Sequence, residues 1–164
     1  MRHLYIVRHA KSSWGNIDLQ DFDRPLNERG KKDAPEMARR LLERDIKMDA
    51  FVSSPAKRAK KTAGIFCDEL GGNKKHIILV ESLYHASDEI FYDVIQSFDD
   101  DYKHVAVFSH NPCITDFVNL LCPAVKIQNM PTCGIFAVAI PIKKWKDFRE
   151  AEKKFLFFDY PKNN

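Results

Sequence analysis

Leu4-Tyr5-Ile6-Val7 is an unbroken apolar run, partly β-branched, that Arg8 closes. A short continuous run of this kind predicts a strand covered on both faces. Residues 10–26 are polar and carry Gly15, Asn16 and Pro25, so they predict a long loop. After Asn27-Glu28-Arg29-Gly30 the period changes. Ala34, Met37, Ala38, Leu41 and Leu42 recur at helical spacing and predict a helix to about residue 44. Ala50-Phe51-Val52 predicts a second strand. Ser54-Pro55 then has the form of an N-cap followed by a first-turn proline, and the helix it opens should run to Leu70 and stop at Gly71-Gly72.

The succession continues in the same manner. Residues 77–80 predict a third strand and residues 88–98 a helix, closed by the acidic turn Asp99-Asp100-Asp101. A fourth strand is expected over 104–108 and a helix over 112–121, ahead of Pro123. Residues 135–140 and 155–158 read as late strands, with Phe155, Phe157 and Phe158 as core. Strands alternating with helices predict an α/β fold, a three-layer α/β/α sandwich on a mostly parallel central sheet. The 164 residues suit one domain, 1–164, and no repeat or linker divides them.

Charge narrows the partners. Lys and Arg number 26 and Asp and Glu 23, a balance that suits a small anionic substrate better than nucleic acid. The first apolar run is too short for a signal peptide or a membrane span, so no membrane association and a cytoplasmic location are expected. Cys67, Cys113, Cys122 and Cys133 form no C-x-x-C pair, which leaves zinc and thioredoxin-like readings without support. No arginine stands six positions after a cysteine, which removes the cysteine-phosphatase loop. The four are expected as reduced, mostly buried thiols.

The chemistry sits just after the strands. The first strand ends in Arg8-His9, the second in Ser53-Ser54-Pro55 with Arg58 one turn into the helix, and the fourth in Ser109-His110-Asn111-Pro112. In a parallel sheet, ligands bind outside the carboxyl ends of the strands, so two arginines and two histidines should converge there. Arginine matches phosphate oxygens with a planar fork, and helix N-termini add N–H donors. Neutral imidazole is a competent nucleophile near pH 7. Its attacking nitrogen must be unprotonated, a tautomer that a hydrogen bond from the other ring nitrogen to a backbone carbonyl would set.

Leu4-Tyr5-Ile6-Val7-Arg8-His9-Ala10 resembles the first signature of the histidine phosphatase (phosphoglycerate mutase-like) superfamily. Ser53-Ser54-Pro55-Ala56-Lys57-Arg58-Ala59-Lys60-Lys61-Thr62-Ala63 and Ser109-His110-Asn111-Pro112 resemble its second and last, in the right order. The Arg24-Pro25-Leu26-Asn27-Glu28-Arg29-Gly30 run and the short chain resemble its SixA-type branch, whose known members are phosphohistidine phosphatases. The resemblance implies a phosphoglycerate mutase-like fold, no metal and no cofactor. It implies His9 as nucleophile, Arg8 and Arg58 as phosphate ligands, and His110 as a second histidine that binds phosphate and stabilises the transition state. Ala10 and Ser109 stand where glycine is usual, and neither change removes a reacting group. The substrate implied is a phosphorylated protein carrying phosphohistidine, or else a small phosphate ester.

Many relatives place a carboxylic acid after the third strand, where this chain offers only Glu81, followed by His85 as a possible substrate contact. SixA-type relatives generally lack a dedicated acid, consistent with the ease of breaking a P–N bond to a protonated imidazole. Lys11, Ser12, Ser13 and Trp14 resemble the family's first loop. Lys57, Lys60 and Lys61 read as a solvated face that could attract an acidic substrate. A mutase is disfavoured by the short 10–26 region, and a non-catalytic phosphate-binding module by the complete Arg8, His9, Arg58 and His110 set. Asp21-Phe22-Asp23 has the spacing of an aspartate nucleophile motif, but no apolar strand precedes it.

Overall fold

The computed structural model describes residues 1–163. Its centre is one six-stranded sheet in the order β3-β2-β4-β1-β5-β6. The strands are β1 (Arg2–Arg8), β2 (Ala50–Ser53), β3 (Ile78–Leu79), β4 (His104–Ser109), β5 (Ile135–Ile140) and β6 (Lys154–Asp159). Three of the five pairings are parallel, β1 with β4 and β2 with both β4 and β3; β5 runs antiparallel to its two neighbours. The helices are α1 (Glu28–Glu43), α2 (Lys57–Glu69), α3 (Asp88–Gln96) and α4 (Cys113–Leu121).

The continuous apolar run of β1 explains the layers. Successive strand residues point to opposite faces. Leu4 and Ile6 pack with Phe91 of α3 and Phe117 of α4, while Tyr5 and Val7 pack with Met37 of α1 and Phe66 of α2. Both faces are thus covered, and the three-layer α/β/α sandwich follows. No helix among the described residues is long and apolar enough to cross a membrane. All four cysteines are free thiols, three buried and Cys113 partly so.

Two features differ from the sequence reading at the sheet edges. The third strand shrinks to Ile78–Leu79, because only β2 pairs with it, and its two side chains are exposed. On the opposite edge, Phe155 of β6 is exposed, and Phe157 and Phe158 are only half-buried against the cores. Edge strands have a neighbour on one side only, so an aromatic there gains less cover than the same residue in β1.

The start of α2 also differs. The helix begins at Lys57 with Ala56 in the cap position, and Ser54 is not its N-cap. The Ser54 hydroxyl accepts from the Ala56 N–H in a turn ahead of the helix. That hydroxyl is already engaged with His110 Nε2 at 2.7 Å.

The 10–26 loop is tied down by local chemistry. Asn27 caps α1 by accepting from the Gly30 N–H at 2.9 Å. The Lys11 carbonyl accepts from the Asn27 N–H, and a Cβ on residue 30 would overlap that carbonyl. Only glycine lets the loop after His9 pass this close to α1. Ser12 and Leu26 form an isolated antiparallel bridge beside it.

Candidate active site

The parallel register brings the strand ends together. Arg8 lies opposite Ser109, and Ser53 lies opposite Phe108. Beyond these ends is a cavity of about 290 Å³ whose walls include Arg8, His9, Arg58 and His110. The four residues picked out from the sequence therefore face one space. Lys11, Ser12, Trp14 and His85 also reach it, and Ser13 does not. Glu81 is exposed and lies outside the walls.

His9 is held by both ring nitrogens. Nδ1 lies 2.8 Å from the Ala10 carbonyl, which can only accept, so Nδ1 carries the proton. Nε2 is then the bare nitrogen, and the Arg58 Nε–H donates to it at 3.3 Å. Burial lowers the His9 pKa to about 3; the Ala10 carbonyl pulls it back up in part, and the neighbouring His110, Arg58 and Arg8 add to the lowering. His110 Nε2 pairs with the Ser54 hydroxyl at 2.7 Å, and burial followed by the Arg58 charge lowers its pKa to about 3. The two rings tilt against each other with centroids 5.1 Å apart.

Both imidazoles are thus neutral at pH 7. Nitrogen-edited NMR of the ligand-free protein should show neither ring protonating between about pH 5 and 8; a midpoint near the ordinary histidine value for either would contradict this geometry. The sign for stability follows. The unfolded chain takes up these protons as pH falls below 6.5 and the folded chain does so only near 3, so stability is lost on going from 6.5 toward 3.

Two guanidiniums frame the histidines. Arg8 donates from Nη1 to the Met130 carbonyl at 2.8 Å, while its buried Nε has no partner among the described residues. Nδ1 of His110 is likewise buried and unpartnered. Unsatisfied buried polar groups are costly. Burial and the like charge of Arg58 lower the Arg8 pKa, which marks the cavity as electrostatically prepared for negative charge.

Arg58 already has an anionic partner. Its Nη1 donates to the Asp21 carbonyl at 2.6 Å and its Nη2 to the Asp21 carboxylate at 3.0 Å. The Tyr84 hydroxyl donates to the same carboxylate oxygen, and Arg24 Nε to the other at 3.1 Å. Partial burial pushes the Asp21 pKa up, but the hydrogen bonds from Tyr84 and Arg58 and the charge of Arg58 outweigh it, and the group rests at about 2. Asp21 is therefore an ionised carboxylate seated on the guanidinium of Arg58.

Thr62 explains another motif position. Its hydroxyl donates to the Arg58 carbonyl at 2.7 Å and accepts from the Ala10 N–H at 3.0 Å, so it ties α2 to the loop behind His9. The 130–134 segment closes the back of the site. Cys133 N–H donates to the His9 carbonyl, and Arg8 N–H donates to the Gly134 carbonyl. Asn111 Nδ2 donates to the Met130 carbonyl, and Thr132 lines the cavity. Sequence reading missed Asp21, Tyr84, Asn111 and Thr132 as parts of the site. Asp21 was visible only as a D-x-D spacing, Asn111 stood inside the Ser109-His110-Asn111-Pro112 segment without being given a role, and Tyr84 and Thr132 had no local signal.

The sequence profile of the histidine phosphatase superfamily (branch 1) matches residues 4–87, half of the chain, and the chain belongs to that superfamily. Among solved structures, a phosphohistidine phosphatase SixA from Agrobacterium tumefaciens superposes with a TM-score of 0.81 at 24% identity, covering 98% of each chain. The protein histidine phosphatase SixA complexed with tungstate superposes with a TM-score of 0.83 at 21% identity, again over 98% of each chain. The fold is therefore the phosphoglycerate mutase-like fold of these proteins. A mitochondrial serine/threonine-protein phosphatase, Pgam5 of Drosophila melanogaster, is 34% identical over 79 residues, 47% of this chain and 26% of that protein. An uncharacterized chloroplastic protein of Arabidopsis thaliana is 39% identical over 61 residues, 37% of this chain and 28% of that one. The matched region thus spans about a quarter of the length of these two relatives.

Proposed function

We propose that this chain is a metal-independent phosphohistidine phosphatase that works through a phosphorylated His9. The observation that carries the reading is the state of His9. Its Nδ1 proton is committed to the Ala10 carbonyl, its Nε2 lone pair faces Arg58, and Arg8 and His110 share the cavity. Nε2 attacks phosphorus and forms a new P–N bond as the bond to the substrate's nitrogen breaks. The departing imidazole leaves protonated and therefore neutral. Water then attacks the phosphorus, releases inorganic phosphate and regenerates His9. Arg8, Arg58 and His110 spread the charge on the three phosphoryl oxygens, where positioning and electrostatics supply most of the rate.

Among the described residues no protonated carboxyl lines the cavity, although Tyr84 and His85 do. Asp21 is ionised, and Glu81 lies outside the walls. An alkoxide needs a proton from the enzyme, whereas a protonated imidazole departs without one. That supports phosphohistidine over an alkyl phosphate ester as the substrate. The two guanidiniums supply positive charge where other phosphatases use a metal ion.

The test is a parallel assay of a histidine-phosphorylated protein, phosphoserine and p-nitrophenyl phosphate, each in EDTA. The expected result is turnover in EDTA, with kcat/KM highest on phosphohistidine and lowest on phosphoserine. A strict need for an added divalent ion, or a preference for phosphoserine, would overturn the reading.

A further inference from the structure

A second concavity has a volume of about 870 Å³. One wall is a stripe of α2 in which Lys57, Lys60, Lys61 and Ile65 recur at helical spacing. Lys31 of α1 stands across from it with Lys74 and Lys75 of the short 74–76 turn. The apolar part comes from Leu26, Ile77 and Leu79. All six lysines are exposed, and Asp68 is the one acid among the lining residues. Lys74 pairs with Asp68 at 3.0 Å and Lys31 with Glu28 at 3.5 Å. Among the described residues, Lys57, Lys60, Lys61 and Lys75 have no ion-pair partner. The whole chain carries a net charge of only +3, so this groove is an island of positive charge on a nearly balanced surface.

The groove and the catalytic cavity have no lining residue in common, but chain neighbours line the two. Lys57 is the neighbour of Arg58 at the start of α2, and Pro25-Leu26 follow Arg24, which lines the catalytic side. A segment lying in the groove would therefore rest on residues one position along the chain from Arg24 and from Arg58 of the cavity.

We infer that this groove docks an acidic segment of the phosphoprotein substrate, with carboxylates on the lysines and an apolar side chain over Leu26, Ile65 and Ile77. The inference rests on the phosphoprotein reading above and adds where the protein part of the substrate binds. Charge complementarity selects the acidic partner and steers its approach. The composition of the lining selects protein over nucleic acid. Single-stranded nucleic acids bind on aromatic stacking platforms, and among the described residues no aromatic side chain lines the groove.

The experiment uses the full chain and its Lys60→Glu/Lys61→Glu/Lys75→Glu variant, none of whose changes touches the catalytic walls. Two phosphohistidine peptides of one length are compared, one rich in Asp, Glu and Leu, the other with Asn and Gln in place of the acids. The wild type should favour the acidic peptide in kcat/KM by about 10-fold or more at low salt, as surface steering gives. The preference should vanish in roughly 0.5 M NaCl, where exposed charges are screened. The variant should lose it as well, while hydrolysing phosphoramidate at the wild-type rate.

Fluorescence anisotropy of the unphosphorylated acidic peptide measures docking without turnover. Binding by wild type and its loss in the variant would support the groove even if the phosphohistidine assay fails. Equal handling of the two peptides, or unchanged binding in the variant, would overturn it. Tighter binding of a single-stranded oligonucleotide or of anionic phospholipid vesicles at the same ionic strength would assign the groove to another partner.

Discussion

Alanine at position 9 should remove turnover almost completely, with a rate loss on the order of 10⁴-fold or more, as for other covalent nucleophiles. The reason is that the clamp has nothing to work on once Nε2 is gone. Arg8, Arg58 and His110 can still hold a phosphoryl group, so phosphate or vanadate should continue to bind. The fold should persist, because β1 is held by its pairing with β4 and β5 along its length. The direct observation is the intermediate itself. Brief mixing of wild type with phosphoramidate and an alkaline quench should trap acid-labile, base-stable phosphate, and mass spectrometry should place it on His9. Label on another residue, or full activity in a folded His9→Ala protein, would remove the proposed mechanism.

The second large effect concerns the Arg58–Asp21 pair, whose two members should act with opposite sign. Arg58→Ala removes charge-assisted bonds worth about 1.5–3 kcal/mol each, so phosphate or vanadate should bind roughly 10- to 150-fold more weakly for one lost bond. It also leaves the ionised Asp21 with Arg24 as its remaining guanidinium partner. The backbone of α2 is untouched, so the fold should survive, although the 21–23 turn loses its tie through the Asp21 carbonyl. Asp21→Asn does the reverse. It keeps the shape and removes the negative charge that competes with phosphate for the fork. Asp21 is half exposed, so its gain is that of a screened pair, roughly 2- to 5-fold tighter phosphate binding. Titration calorimetry with inorganic phosphate on both variants reads the two signs. Unchanged binding in Arg58→Ala would place Arg58 outside the phosphate site, and weaker binding in Asp21→Asn would make Asp21 an orienting partner and not a competitor.

Asp21 also marks the boundary of what a sequence alone can show. Its spacing to Asp23 suggested an unrelated kind of nucleophile, and nothing near it in the chain points to Arg58. Their contact spans 37 residues and depends on how the 10–26 loop folds back over α2. Tyr84 reaches the same carboxylate across 63 residues, and Arg8 reaches Met130 across 122. Such pairs leave no period and no local motif, because only closure of the loops over the sheet edge brings them within bonding distance.

The sequence by itself determined the order and type of the main elements, since burial on two faces demands the unbroken run in β1 and burial on one face demands the helical spacing in α1. It also determined that Arg8, His9, Arg58 and His110 face one cavity, because parallel strands put their following residues on a common edge. Tertiary structure alone decided which aromatic residues near the ends of the sheet stay exposed, since that depends on strand order: β3 and β6 lie outermost although neither is distinctive in sequence. It alone also decided the protonation geometry of the site. The Ala10 carbonyl sets the His9 tautomer, Ser54 is drawn from a helix cap to His110, and Asp21 occupies the fork of Arg58. A hydrogen bond is set by distance and angle between groups, and those are fixed only when the layers pack.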